Sequence, residues 1–267
     1  MIRKLLLFSC VIFLVTALIP KKKKKEFLPP GTVKINDTLF VDEVEINNRS
    51  WFEYELMIKN KYGANSAQHL AVLPDTLVWR EKNAYNEPFV EYYYRHPAYR
   101  EYPVVGISYE QVVEFCKWRT ESVKKFLCLS KKYGIVDFEY RLPSKTEWEF
   151  LSFNGIGYFS NNGINEKGFA SSNHVWEPKD TSEYKKGKLS IDNADVTAPV
   201  YSYEKNLFGL FQMIGNVSEM VLEKGISKGG SWRHRIEECR VGKDIPYTKP
   251  TAWLGFRCVC VVKKSKC

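Results

Sequence analysis

The C-terminal part of the chain keeps interrupting itself. Glycines at 209, 215, 229, 230 and 255 break "NLFGLFQMIGNVSEMV", "ISKGGSW" and "AWLGFRCVCVV" into short apolar runs, leaving no room for a helix or strand of ordinary length. Such glycines mark places where the backbone needs positive φ or a close approach that a Cβ would forbid. These stretches read as short strands joined by glycine turns.

Upstream, the pattern is helical and capped. Asn47 or Asn48 caps a helix over Ser50–Tyr62, with Trp51, Tyr54, Ile58 and Tyr62 on one face and Gly63 as its stop. Ser108 with Gln111 and Ser144 with Glu147 form capping boxes. The first opens a helix running toward Gly134 whose first half buries Val112, Phe115, Cys116 and Trp118; the second turns Trp148, Phe150 and Leu151 inward. Before them, "LPPGTVKINDTLFVDEVEINN" alternates around Asn36-Asp37 as a hairpin does. Ala64 to Tyr102 is loop-like and aromatic; Tyr92, Tyr93 and Tyr94 read either as a stacking platform for a ligand or as three packed rings. Asn154 to Thr197 shows no period, so long surface loops are expected there rather than a second domain. With 44% hydrophobic and 15% aromatic residues in 267, the expectation is one irregular α+β domain over 27–262, with a tail at 263–267.

The formal charge of +9 says little about the body, because Arg3, Lys4 and Lys21 to Lys25 supply seven of those charges and leave +2. No basic stripe interleaved with aromatics is present, so the sequence gives no nucleic-acid partner. "MIRKLLLFSCVIFLVTALIP" has the basic start and short apolar stretch, Leu5 to Ile19, of an export signal, which makes 1–26 a signal or anchor and the destination the periplasm or cell envelope. Cleavage after Val15-Thr16-Ala17, lipidation at Cys10 and retention as an uncleaved anchor all stay open, since the five lysines resist translocation. Membrane association would run through this N-terminus, and the lysines read as a solvated flank or as an attraction to anionic headgroups. Seven cysteines contain no CxxC pair, which argues against a zinc knuckle and, in an oxidising compartment, for one or two disulfides.

Taken in order, "YPVVGISYEQVVEFCKWR", "RLPSKTEWEF", "NLFGLFQMIGNVSEM", "KGGSW" and "LGFRC" resemble the signatures of the formylglycine-generating enzyme, or sulfatase-modifying factor, family over about residues 27–262. The resemblance implies an elaborated variant of the C-type lectin fold with little regular secondary structure. It also implies a reaction: catalytic members oxidise a sulfatase cysteine to formylglycine with oxygen, using copper(I) held by two cysteines after the Gly-Gly-Ser-aromatic turn. Two soft thiolates suit that ion. Here His234 stands where the first is expected and Cys239 corresponds to the second, so His234 and Cys239 are the catalytic candidates and copper is expected only if the chain is catalytic. The resemblance further implies a Cys116–Cys258 disulfide, and a calcium site formed by Gln212, Gly215, Val217 and Glu219, with Gln212 replacing the usual Asp or Asn. Ser152 stands where the family's second disulfide begins. Arg141 and Arg257 read as structural guanidiniums among buried aromatics.

Three functions follow. The first is a non-catalytic envelope scaffold with protein partners; "LPDTLVW" followed by "HPAYREYPVVGISYEQ" is similar to the gliding-motility and type IX secretion lipoproteins built on this domain. The second is a formylglycine-generating oxidoreductase. The third is a glycan- or peptide-binding module using the Tyr92 to Tyr99 aromatics.

Overall fold

The computed structural model describes residues 28–81, 85–129, 137–153, 170–175 and 194–263. The signal or anchor segment with its lysines, Cys10 and Cys267, the side chain of Cys128 and most of 154–197 lie outside the described residues.

The expected hairpin forms: β1 (Thr32–Lys34) pairs antiparallel with β2 (Leu39–Asp42), and Asn36 at its tip accepts the Thr38 and Leu39 amides. Strand β2 pairs with the last strand, β8 (Val259–Lys263), which pairs in turn with β3 (Asp137–Arg141), giving an antiparallel sheet in the order β1-β2-β8-β3. A second sheet is built from the glycine-broken region. It holds β4 (Ser218–Met220), β5 (Ile226–Lys228), β6 (Ile245–Pro246) and β7 (Leu254–Gly255) in the order β6-β5-β4-β7, with β4 and β7 parallel. The chain is α+β, and every described strand of the second sheet is three residues or shorter, as the glycine spacing dictates.

Helix α1 (Asn48–Tyr62) is capped by the Asn47 side chain and ends at Gly63, whose φ of 94° no L-residue adopts cheaply. The short helices α2 (Ala67–Leu70) and α3 (Glu87–Tyr92) and two 3-10 turns, Thr76–Trp79 and Pro97–Tyr99, organise the aromatic stretch. Both capping boxes close reciprocally: Gln111 accepts the Ser108 amide and Ser108 the Gln111 amide at the start of α4 (Tyr109–Leu129), and Ser144 and Glu147 do the same for α5 (Lys145–Phe153). Among the described residues, no helix is long and apolar enough to cross a membrane.

The first sheet divides the core by the two-residue period of its strands. Phe40, Phe138, Tyr140, Cys258 and Cys260 face α1 and α4, where Trp51 stacks on Phe115; Val41 and Val259 face α5, where Trp148 and Leu151 are buried. One open choice is decided and two expectations are corrected. Tyr93 and Tyr94 are core residues, Tyr93 bonding Pro103 O and Tyr94 bonding Glu55, while Tyr92 is 46% exposed, so the three rings form no platform. Consecutive residues of one helical turn point in directions about 100° apart and cannot share a face. Phe150, on the solvent side of α5, is 51% exposed, with its ring tilted against Phe208. Within 154–197, the described residues Ser171 to His174 and Thr197 are buried rather than part of a surface loop.

Arg257 joins the two sheets. Its Nε and Nη2 donate to Glu219 of β4 at 2.6–2.9 Å, Nη1 to Asp42 O of β2, and Nη2 to Phe211 O; Glu219 also accepts Trp148 Nε1 at 2.7 Å. Both charges are buried, at 0% and 1% exposure, and burial opposes Arg257's charge while Glu219 restores it, so its pKa ends above the ordinary value. Because removing one partner strands the other in a dry interior, Glu219→Gln should lower unfolding free energy by roughly 3–5 kcal/mol in urea titration. A loss within measurement error would show that the pair does not hold the sheets together.

Candidate functional site

The loop that follows β5 carries the predicted catalytic positions. Gly229 and Gly230 have φ of 88° and 68°; a Cβ on Gly229 would press on Met213 O and the Trp148 ring, and one on Gly230 would overlap the Cys239 sulfur. The paired glycines therefore serve a turn wedged between α5 and residue 239.

Ser231 then closes a tight local turn. Its oxygen contacts His234 Nδ1 at 2.7 Å and accepts the Arg233 amide, while its carbonyl accepts the His234 amide. The Trp232 amide donates to Asn216 O and its Nε1 to Ala252 O; the ring stacks on Trp79, and Arg233 lies over it while pairing with Glu81. His234 stands edge-on to Trp253 at 5.0 Å, and its carbonyl accepts the Val175 amide. Burial pushes the His234 ring below its ordinary pKa against an opposing pull from Glu238, so at neutral pH the ring is uncharged.

Cys239 is fully buried, with its sulfur 3.9 Å from His234 O. Burial pushes its thiol up to about 12, only partly opposed by the Ser231 amide. The other described free cysteines, Cys116, Cys258 and Cys260, belong to the core cluster on the opposite face of the first sheet. Among the described residues Cys239 thus has no sulfur partner, and His234 Nδ1 is engaged by Ser231. The set does not fit copper(I), which needs two converging soft ligands.

The four calcium candidates lie in the turn before β4 and in β4 itself. Gln212 Oε1 is buried without a hydrogen-bond partner, as a cation ligand would be, but its Nε2 donates to Pro199 O. Glu219, the one anionic member, has both oxygens engaged by Arg257 and Trp148. Gly215 and Val217 supply backbone to the turn itself: the Gly215 amide donates to Gly229 O and that of Val217 to Glu45. With a guanidinium already neutralising Glu219, the side chains of this set bring no net negative charge to a divalent cation. Arg141 is structural as expected, forking onto Glu147 at 2.7–2.8 Å.

The sequence reading missed Glu45 and Asn216. Asn216 holds the site together, donating to Glu45 and Ala198 O, accepting from Ala198 N and Asn173, and supplying the carbonyl for Trp232. Glu45 is buried, and desolvation together with Glu219 raises its pKa well above the carboxylate range against the pull of Arg257 and its own hydrogen bonds. The available signal was three acids, Asp42, Glu43 and Glu45, inside an alternating apolar stretch, of which Asp42 and Glu45 are buried. Lys228 is likewise buried and paired, with Glu149 at 2.7 Å and Asp244 at 3.0 Å.

Comparison with known proteins places this geometry. Residues 13–262 match the family model "Sulfatase-modifying factor enzyme 1-like domain". The chain is similar to the formylglycine-generating enzyme of Mus musculus, at 24% identity over 76% of this chain and 47% of that protein. It is also similar to the inactive C-alpha-formylglycine-generating enzyme 2 of Bos taurus, at 26% identity over 59% and 50%. It spans about half the length of these curated relatives. Among solved structures, CarF aligns with a TM-score of 0.52 and 15% identity over 87% of this chain and 96% of that one, a likeness of fold alone.

A thiol pushed up to about 12 leaves roughly one molecule in ten thousand as thiolate at pH 8. Iodoacetamide at that pH should leave Cys239 unmodified in folded, reduced protein and label it fully in urea, as read by peptide mass spectrometry. Equal labelling in both states would contradict the buried placement.

Proposed function

The chain belongs to the family of sulfatase-modifying factor enzyme 1-like domains, and from that premise we propose that it is a non-catalytic member: an exported binding or scaffold domain of the cell envelope. One observation carries the reading. The family's copper chemistry needs two thiols side by side, and here the sulfur at the second position lies across a β-sheet from every other described thiol. The similarity to a relative named as inactive supports it. So does the use of the signature residues: Glu219 holds Arg257, Asn216 ties three segments together, and Gly229 and Gly230 make a turn. Each is explained by rigidity alone. The N-terminal apolar stretch Leu5 to Ile19 supports export.

In an oxidising compartment the same reading includes a Cys116–Cys258 link. The two sulfurs lie 3.6 Å apart between α4 and the start of β8, 142 residues distant in sequence. Closing a loop of that size stabilises by about 3–5 kcal/mol where geometry is unstrained.

Protein supplied with copper(I) and oxygen, and offered a peptide with a Cys-x-Pro-x-Arg core, should form no aldehyde above the rate without protein. Aldehyde formation abolished by Cys239→Ser would overturn the reading in favour of the oxidoreductase.

A further inference from the structure

The chain contains three Asn-X-Ser/Thr triplets: Asn36-Asp37-Thr38, Asn48-Arg49-Ser50 and Asn216-Val217-Ser218. Such a triplet can carry a glycan in an exported protein only where the asparagine side chain reaches solvent. The structure separates the three. Asn48 is 2% exposed and its Nδ2 donates to Tyr93 O and Tyr99 O; Asn216 is 0% exposed and its Nδ2 donates to Glu45 and Ala198 O. A sugar on either nitrogen would displace those bonds and the core around them.

Asn36 is different on every count. It lies exposed at the tip of the β1–β2 hairpin, and its Nδ2 makes no hydrogen bond among the described residues. Its Oδ1 accepts three: from the Thr38 amide at 2.9 Å, the Leu39 amide at 2.9 Å and the Thr38 hydroxyl at 3.0 Å. This Asx-type turn fixes the amide with its nitrogen outward. Three donors on Oδ1 draw amide electron density toward the oxygen and make the Nδ2 proton easier to remove, and one of the three is the hydroxyl that the triplet requires.

We propose that Asn36 is an N-glycosylation site, an inference that rests on the export reading above. The donor is a lipid-linked oligosaccharide phosphate. Asn36 Nδ2 forms the bond to the sugar C1, the C1–O bond to the carrier breaks, the carrier phosphate leaves with the electron pair, and the Nδ2 proton passes to the transferase. The glycan would stand beside β1, an edge strand of the first sheet, and shield an edge that otherwise invites pairing with another chain.

The test uses the full chain in a secretory host, once with its own N-terminus and once behind an independent export signal. Intact mass is read before and after peptide N-glycosidase. One glycan is expected, kept in Thr38→Ser and lost in both Asn36→Gln and Thr38→Ala, the latter leaving the asparagine untouched should Asn36→Gln fold poorly. No glycan on the chain exported by the independent signal, a glycan that survives Thr38→Ala, or a sugar on the Thr38 hydroxyl would each overturn the proposal. A glycan found only behind the independent signal would uphold the site and reject native export.

Discussion

A single buried ion pair sets the terms for the rest of this molecule. Glu219 belongs to β4 of the second sheet and Arg257 to the link between β7 of that sheet and β8 of the first, where it also reaches Asp42 O of β2; the second sheet is made of strands of two or three residues, too short to be stable without such packing. Placing a guanidinium and a carboxylate in the interior costs several kcal/mol each unless every donor and acceptor is met. Here each of the three guanidinium nitrogens donates and both carboxylate oxygens accept. The geometry leaves no slack for another ligand. The pair therefore fixes the orientation of the sheets and also decides what Glu219 cannot do.

The same logic extends outward. Asp42, whose carbonyl meets Arg257, has its carboxylate on Arg119 at 2.7 Å and on the Cys258 amide, and Arg119 reaches Pro30 O while its guanidinium covers Tyr140. From Glu219 the network passes through Trp148 to Gly229, and Asn216 links the neighbouring turn to Glu45, residues 173 and 198, and Trp232. A loop held at so many points presents a fixed surface. It gives Cys239 a place to pack and withholds the second sulfur that copper chemistry requires.

Much of the fold was legible because the relevant signals are local. Asn47, the two capping boxes, the Asn36 hairpin and Gly63 act through bonds spanning two to four residues, and each does so where the spacing predicts. The paired glycines were legible as a turn for the same reason. What escaped was decided by partners far away in sequence. Tyr93 is buried because Thr197 meets its hydroxyl 104 residues later, and Glu45 because Asn216 lies 171 residues on; no window along the chain contains both members. Phe150 misled because an apolar residue on a short helix fits either face. At the site, the substitution at His234 was readable directly, whereas the isolation of Cys239 needed the alternation of β8 to place its possible partners on the other face of a sheet.

The central claim is that, among the described residues, Cys239 has no second sulfur with which to form a soft-metal pair, and copper(I) binding tests it most directly. Reduced, folded protein and its Cys239→Ser variant would be titrated with copper(I) in competition with a chromogenic chelator. The account predicts that the two curves superimpose, any uptake arising from other thiols. Loss of one tightly bound equivalent in the variant would contradict it.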